Sequence, residues 1–242
     1  MFKVASENNL KTEKVVLVGQ SADHFSLFFI SDVHNRTISE KMLRQVGQVD
    51  AVIIGGDFCD RRTSIERLAC NVKLLKENGP VYFVWGNNDR EIGEQRLRTI
   101  FQKEGIQIVE NDAIQLINRA NPTWIAAIDD YGTENADFQT ALAPCQEQDV
   151  ILCVSHNPLV FHHALKYGRP SMFFGGHLHG GQIRFGPFGI HPNGSFKVRN
   201  GIPTLISNGY GTTLVPLRLG AHPEAHLLLI EVVSDKDVSI TN

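Results

Sequence analysis

The sequence predicts an α/β fold in which buried strands alternate with helices and a loop-rich, strand-containing segment follows. Three observations lead to this prediction. Short apolar runs recur along the chain, helical patterns lie between several of them, and the helical patterns stop after about Phe173. Strand–helix alternation implies parallel strands joined by helical crossovers. We find no linker, so we expect one domain over residues 1–242, with residues 1–13 poorly ordered or peripheral.

The predicted strands are short apolar runs, typical of strands that are buried on both faces. Because the C-terminal third is rich in Gly, Pro and Asn, we expect its strands to form an antiparallel continuation of the fold. The predicted strands are Val15–Val18, Leu27–Ile30, Ala51–Ile54, Val81–Trp85, Ile125–Ile128, Val150–Val154, Met172–Phe174, Thr204–Ile206 and Leu227–Val233.

Two of the intervening segments have the pattern of amphipathic helices. Apolar side chains recur on one face of residues 64–79, with Ser64 as a candidate N-cap and Gly79 as a C-terminal stop. Residues 91–105 repeat this pattern and end at Gly105. These helices are the predicted crossovers between parallel strands.

Composition and charge narrow the class of protein. The chain has 242 residues, of which 42% are hydrophobic, and a formal net charge of -3. Nucleic-acid-binding surfaces are basic, so we expect no nucleic-acid partner. The four cysteines form no C-x-x-C pair and are expected to be free thiols. The N-terminus lacks the apolar segment of a signal peptide and no apolar run is long enough to span a membrane, so we expect a cytoplasmic protein.

Side chains that bind metals follow one predicted strand after another. Asp or His side chains follow four of the predicted strands, and the amide side chain of Asn87 follows one further strand. The C-terminal ends of strands are where ligand sites form in open α/β sheets, and the flanking glycines allow close approach. His177 and His179 are expected on an extended segment, pointing to the same side. The candidate metal ligands are Asp32, His34, Asp57, Asn87, His156, His177 and His179.

This donor set predicts a site for two metal ions. Imidazole, carboxylate and amide donors together favour Mn, Fe, Zn or Co over Ca or Mg alone. Seven ligands exceed the needs of one tetrahedral ion and match two ions that share a bridging carboxylate. The expected cofactors are therefore two divalent or trivalent ions of these metals.

The motifs "SDVH", "GGDFCD", "GNND", "SHNP" and "GGHLHGG", in this order, resemble the calcineurin-like metallophosphoesterase superfamily. The resemblance spans Leu27 to about Glu231. It implies a four-layer α/β/β/α sandwich of two mixed β-sheets, with a dinuclear metal site at the C-terminal ends of the strands. It also implies that Asp32, His34 and His179 bind the first metal.

For the second metal, the resemblance implies the ligands Asn87, His156 and His177, with Asp57 as the bridge between the ions. The C-terminal segments "GGHLHGGQIRFG" and "TLISNGYGTTLVPLRLGAHPEAHLLLIEV" are similar to a bacterial subgroup. Some members of that subgroup are membrane-tethered, and some are linked to UDP-diacylglucosamine hydrolysis.

The sequence departs from the family pattern at Asn88, where G-N-H-D has the histidine that usually protonates the leaving group. An amide can donate a hydrogen bond but cannot transfer a full proton. We expect Asn88 and Asp89 to be the catalytic residues of this loop, with Asp89 orienting it, and catalysis to be weak on alkoxide leaving groups. His191 and His222 are alternative acids. Three arginines near the motifs are candidates for contact with phosphate: Arg36, Arg90 and Arg184.

The predicted function is a metal-dependent phosphoesterase that hydrolyses a phosphodiester or pyrophosphate bond in a small phosphorylated substrate by attack of a metal-bridging hydroxide. Two alternatives remain open. One is a metal-holding binding or scaffold protein of the same fold with weak or no catalysis. The other is a UDP-diacylglucosamine-type pyrophosphatase. A nuclease is disfavoured because the sequence has no basic stripe.

Overall fold

The computed structural model describes residues 1–238 and confirms the four-layer sandwich. Two six-stranded mixed sheets pack face to face, and helices cover the outer face of each sheet. The elements of the first half are α1 (Phe2–Ala5), β1 (Asn9–Gly19), β2 (Asp23–Ile30), α2 (Glu40–Val46), β3 (Ala51–Gly55), α3 (Ile65–Lys76), β4 (Val81–Val84), α4 (Glu94–Glu104) and β5 (Gln107–Ile108).

The second half of the chain builds the other sheet and then returns to the first. Its elements are β6 (Asp112–Leu116), β7 (Thr123–Ala127), α5 (Phe138–Leu142), β8 (Val150–Val154), α6 (Phe161–Ala164), β9 (Met172–Gly175), β10 (Arg184–Phe185), β11 (Phe188–Gly189), β12 (Ser195–Arg199), β13 (Ile202–Ile206), β14 (Glu224–Ser234) and α7 (Asp235–Val238).

The first sheet has the strand order β1-β14-β2-β3-β4-β5. Its strands β2 to β5 are parallel, as the strand–helix alternation predicts, and Leu27 of β2 pairs with Ala51 of β3. Strand β14 is antiparallel to β2 and parallel to β1. The helices α2, α3 and α4 connect the parallel strands, and Ser39 and Ser64 cap the first two of them by accepting hydrogen bonds from backbone N–H groups.

The second sheet has the strand order β12-β13-β9-β8-β7-β6. The four central strands are parallel, and the outer pairs β12–β13 and β7–β6 are antiparallel. The expectation of a purely antiparallel C-terminal third is wrong at β13, which runs parallel to β9. The long connection through β10, β11 and β12 allows the chain to re-enter the sheet in the parallel direction.

Alternating side chains of the strands separate the layers. In β2, Phe28 and Ile30 pack under the helices of the first sheet, whereas Leu27 and Phe29 face the second sheet. In β8, Leu152 lies in the inter-sheet core, and its neighbours along the strand pack against α5 and α6. This period of two places three apolar cores between four layers.

The N-terminal segment, expected to be poorly ordered or peripheral, contributes a short helix and part of a strand at the edge of the first sheet. Residues 1–13 contain α1 and the first half of β1, where Asn9 pairs with Glu224 and Glu13 with Leu228. Strand β1 lies at the edge of its sheet, with the backbone of all eleven residues in register with β14. Its partner lies more than 200 residues away in the chain, and no local pattern in the N-terminal segment indicates that pairing.

Candidate metal centre

The seven predicted ligands follow the C-terminal ends of five strands, at one edge of the sandwich. Strands β2, β3 and β4 of the first sheet lead to Asp32, His34, Asp57 and Asn87. Strands β8 and β9 of the second sheet lead to the three remaining histidines. The ligands therefore converge from both sheets.

Most of these ligands have a left-handed backbone. The prediction that His177 and His179 lie on an extended segment is wrong, because Leu178 is helical and His179 begins a short 3-10 turn. Left-handed residues other than glycine persist where the surrounding structure holds them, and they cluster at functional sites. The ligands with positive φ are Asp32 (52°), His34 (51°), Asp57 (50°), His177 (69°) and His179 (49°).

The first group of ligands consists of Asp32, His34 and His179. The Nε2 atoms of His34 and His179 lie 3.2 Å apart, and Nε2 of His179 lies 3.2 Å from Oδ1 of Asp32. All three side chains are buried. One ligand atom of each lies within 4.8 Å of the others, a spacing that suits a single metal ion. This is the group that the resemblance assigns to the first metal.

The second group is centred on His156, whose Nε2 lies 3.3 Å from Oδ2 of Asp57 and 3.9 Å from Oδ1 of Asp32. These three residues also bring their ligand atoms within 4.8 Å of one another. The His177 ring lies 5.1 Å from the His156 ring, and Nδ1 of His177 is 2.9 Å from Oδ1 of Asn87. The structure thus brings all seven predicted ligands together.

Two carboxylates lie between the groups. Oδ2 of Asp57 is also 3.8 Å from Nε2 of His34, as expected of a bridging ligand. Asp32 contacts histidines of both groups as well, although the resemblance assigns it to the first metal alone.

The electrostatics of the cluster favour a bound cation. Burial opposes ionisation of Asp32, but His179 and His156 outweigh it and hold the pKa of this carboxyl far below its usual range. Burial lowers the pKa of His156, yet Asp57 and Asp32 raise it to about 10. Its buried Nε2 has no hydrogen-bond partner. Facing ring nitrogens, an orphaned Nε2 and buried carboxylates form a donor set that fits divalent metal ions.

Asn88 holds its neighbour Asn87 in a fixed orientation. Oδ1 of Asn88 accepts a hydrogen bond from Nδ2 of Asn87 at 2.9 Å, so the amide oxygen of Asn87 faces His177. Nδ2 of Asn88 donates to Oε1 of Glu91 at 3.0 Å, and its backbone N–H donates to Oδ1 of Asp57 at 2.8 Å. Asn88 therefore lies beside the cluster and connects two predicted ligands.

Asp89 lies completely buried beneath the same loop. Its carboxylate accepts hydrogen bonds from the backbone N–H groups of Gly86 (2.7 Å), Asp57 (2.8 Å) and Cys59 (3.1 Å). Burial, together with the nearby Asp57, raises the pKa of Asp89 to about 7. Asp89 orients the backbone around the candidate ligands and contacts none of their side chains through these bonds.

The three arginines considered for phosphate binding are occupied elsewhere. Arg36 donates to the backbone oxygens of Tyr210 and Glu7 and stacks on the Tyr210 ring. Arg90 pairs with Asp129 at 2.7 Å. Arg184 donates only to backbone carbonyls. Since these donors have protein acceptors, the structure does not support the expected phosphate contacts.

The two alternative acids differ in their surroundings. His222 is exposed, and its Nδ1 lies 2.6 Å from Oε2 of Glu7. His191 is exposed on the segment after β11. Its backbone carbonyl accepts a hydrogen bond from Arg184, and no contact connects its ring to the ligand cluster.

Sequence reasoning missed two residues that support the site. Asp60, the last residue of "GGDFCD", places Oδ2 3.2 Å from Nδ1 of His34 and orients that ring. Arg218, in the "PLR" segment, is fully buried and donates to the carbonyl oxygen of His179 at 3.2 Å. Both lie within segments that carry the family resemblance. A chemical reason to assign them appears only when their contacts are seen.

Fold and site together define an α/β protein with a candidate metal centre between two sheets. Residues 25–181 match the family model described as calcineurin-like phosphoesterase. The chain is 36% identical over 234 residues to "Uncharacterized protein YpbG" of Bacillus subtilis (strain 168), covering 95% of this chain and 90% of that protein. It is 30% identical over 220 residues to "Uncharacterized metallophosphoesterase YkoQ" of the same organism, covering 82% of this chain and 81% of that protein.

A further relative is "Transmembrane protein with metallophosphoesterase domain" of Bos taurus, which is 25% identical over 240 residues. The match covers 87% of this chain and 54% of that protein. The chain belongs to the calcineurin-like phosphoesterase family and is a metal-dependent hydrolase of phosphoric esters. Within residues 1–238, every helix is too short or too polar to cross a membrane.

Proposed function

We propose that the protein hydrolyses a phosphodiester or pyrophosphate bond in a small phosphorylated substrate, using two metal ions drawn from Mn, Fe, Zn and Co. The observation that carries the proposal is the pair of ligand groups that share buried carboxylates. Asp32, His34 and His179 form one group, and His156 with Asp57 forms the centre of the other. His177 and Asn87 extend the second group.

When bound, two adjacent metal ions supply an activated water and neutralise charge on the phosphoryl oxygens. The side chains of the protein would hold that arrangement in place. Asp57 lies between the two groups. Asp60 orients His34, and Asn88 orients Asn87. Buried, preorganised ligands need little rearrangement when charge develops on the phosphate.

Asn88 would not transfer a proton to the leaving group. The amide of this residue already donates to Glu91 and accepts from Asn87. General acids typically contribute about 10²- to 10⁴-fold to rate. We therefore expect efficient turnover of substrates whose leaving groups are stable as anions, such as phenolates and phosphates, and slow turnover of alkyl esters.

Metal reconstitution tests this proposal directly. The protein is stripped of metal, and Mn, Fe, Zn or Co is restored singly before assay on phosphomonoesters, phosphodiesters and pyrophosphates. We expect activity with at least one metal and a preference for the last two substrate classes. Absence of turnover with every metal would overturn the assignment of hydrolysis. A preference for monoesters would overturn the proposed type of bond.

A metal-holding binding protein with weak catalysis is the second candidate, favoured by the absence of a proton donor at Asn88. The two candidates predict the same metal content but different rates of hydrolysis. Tight binding of a phosphodiester without turnover by the reconstituted protein would favour the binding protein. A UDP-diacylglucosamine-type pyrophosphate is a third candidate and belongs in the substrate panel.

We place this activity in the cytoplasm. Cys59, Cys70, Cys145 and Cys153 are free thiols in the structure, as is typical of proteins in a reducing compartment. The net charge of -3 supports a small phosphorylated substrate over a nucleic acid.

A further inference from the structure

An apolar hairpin projects from the loop that carries the last predicted metal ligand. Strands β10 and β11 form this hairpin, and Phe185 pairs with Phe188. The exposed fraction is 72% for Phe185, 77% for Phe188 and 82% for Ile190, which follows the hairpin. Large apolar side chains exposed together indicate a contact surface and not an ordinary solvated loop.

The hairpin is held rigidly by a buried arginine. The guanidinium of Arg184 donates to four backbone carbonyls at 3.0 Å, those of Gly180, Gly186, Pro187 and His191. Its backbone N–H donates to the carbonyl of Leu219 at 2.8 Å. The aromatic side chains are therefore displayed by a fixed backbone. The position of the hairpin is also fixed relative to His179, which directly precedes Gly180.

A fourth exposed apolar side chain lies on the adjacent loop. Leu214 is 84% exposed, and the side chain of Gln182 connects the two loops by hydrogen bonds to both backbone groups of Thr213. Leu214 and Asn88 both line a cavity of about 260 Å³. Exposed apolar side chains thus lie both on the hairpin and on the adjacent loop that lines the same cavity as Asn88.

The charge of the surrounding chain favours an anionic surface as the partner. Residues 150–223 contain no Asp or Glu, although the whole chain has a net charge of -3. Of the six Lys or Arg residues in this segment, Arg184 and Arg218 are buried and the other four are exposed. Lys197 and Arg199 are exposed on the edge strand β12, which follows the hairpin. At the Leu214 cavity, Arg61 and Arg62 lie beside acidic side chains, so that side is electrically mixed. Exposed aromatic and basic side chains together are typical of segments that bind membrane interfaces.

A second copy of the chain is a poorer fit to this surface. A stable protein interface buries about 800 Å² on each partner, whereas the hairpin has only two paired residues in each strand. A small projecting tip can insert between lipid headgroups without a complementary partner surface. We propose that the hairpin side chains Phe185, Phe188 and Ile190 dock this protein on the surface of a bilayer that contains anionic lipid.

Co-sedimentation of the full chain with lipid vesicles tests the docking surface. The vesicles are made of phosphatidylcholine alone or of phosphatidylcholine mixed with phosphatidylglycerol. We expect binding to the anionic vesicles, weakened by salt. The double variant Phe185→Ser/Phe188→Ser should bind at least about tenfold more weakly. Lys197→Gln/Arg199→Gln should reduce binding to the anionic vesicles and its dependence on salt.

Ile117→Ser is the matched control, because Ile117 is 80% exposed and follows β6 at the opposite edge of its sheet. This variant should bind vesicles like the unaltered protein. Thermal unfolding and turnover of a water-soluble substrate should be unchanged in the hairpin variant, which separates docking from folding and catalysis. Vesicle binding is measured without turnover, so its outcome is independent of the proposed function.

Three results would overturn the proposal. One is failure of the unaltered protein to bind either type of vesicle. Another is equal loss of binding in Ile117→Ser and in the hairpin variant. The third is light scattering that shows a dimer which the hairpin substitutions convert to a monomer, without vesicle binding, because the surface would then bind a second copy.

Discussion

Arg218 supports the backbone at the metal centre from beneath His179. Nη1 of Arg218 donates to the carbonyl oxygen of His179, and Nη2 lies 3.2 Å from Nδ1 of the same residue. The guanidinium also donates to the carbonyls of Asn208 and Gly211, each at 2.7 Å. One buried side chain therefore fixes both the turn that carries a predicted ligand and the loop that follows β13.

Replacing this residue should destabilise the fold and the metal centre together. Lysine has three donors on one nitrogen and cannot reproduce the planar, forked contacts of arginine. We expect Arg218→Lys to lower the free energy of unfolding by about 3–5 kcal/mol, because buried carbonyls lose their partners. Denaturant unfolding and elemental analysis measure the two effects. Arg169→Lys is the control, since Arg169 forms an exposed ion pair with Glu147. Equal decreases in the free energy of unfolding in both variants would contradict the supporting role of Arg218.

Asn88→His should restore a proton donor beside the cluster. We expect turnover of an alkyl phosphodiester to rise by at least about tenfold, because protonation assists a poor leaving group. Turnover of a nitrophenyl ester should change little, since its leaving group is stable as an anion. The ratio of the two rates is the measurement. Asn88→Gln is the control for the lost contact with Asn87, and an unchanged ratio in the histidine variant would refute the missing-acid interpretation.

Metal content should fall in steps when single ligands are removed. His179→Ala removes a ligand of the first group and His177→Ala one of the second, so each variant is expected to retain one of two ions. Asp57→Asn should reduce the content of both, because Asp57 faces histidines of both groups. Elemental analysis per chain distinguishes these cases. Loss of both ions in every variant would argue against two separable sites. His24→Ala is the control, because His24 is an exposed histidine.

The carboxylate of Glu224 should make the free energy of unfolding depend on pH. Burial opposes its ionisation, but His226, Lys11 and the backbone N–H of Asn208 outweigh burial and lower the pKa from 4.5 to about 2. Since the folded pKa is the lower one, this stabilisation is present above about pH 4.5 and is lost as pH falls toward about 2. Glu224→Gln should reduce the free energy of unfolding by about 1–3 kcal/mol at neutral pH.

The difference between Glu224→Gln and the unaltered protein should narrow as the solution is acidified. Unfolding measured across this pH range tests the expectation. Glu231→Gln serves as the control, because Glu231 is exposed on the same strand, β14. A constant difference between the two curves at all pH values would show that the Glu224 carboxylate is not the source of the stabilisation.

The sequence predicts those parts of the structure that leave a local signal. Runs such as Val150–Val154 match their strands because strands buried on both faces are uniformly apolar. The predicted ligands converge because parallel strands end at the same edge of a sheet. Pairing of β1 with β14 leaves no such signal, since strands distant in the chain are matched only by the assembled sheet.

Two features of the site could not be predicted for a different reason. The sequence does not distinguish a buried arginine such as Arg218 from a solvated one. Its role is defined by its carbonyl partners, which are brought together only in the folded protein. The left-handed backbone at His177 and His179 is imposed by the surrounding loops. The spacing of the two histidines alone predicts an extended segment, because alternation along a strand is the simplest way to direct two rings into one volume.

The origin of the ligands in both sheets has a mechanical consequence. Four predicted ligands follow strands of the first sheet and three follow strands of the second, so the two bound ions would cross-link the two halves of the sandwich at one edge. Separation of the sheets would then require release of metal, and metal release would loosen the contact between sheets. Chelation should therefore accelerate hydrogen exchange along the inter-sheet core, while the opposite edge of the sandwich exchanges at its original rate.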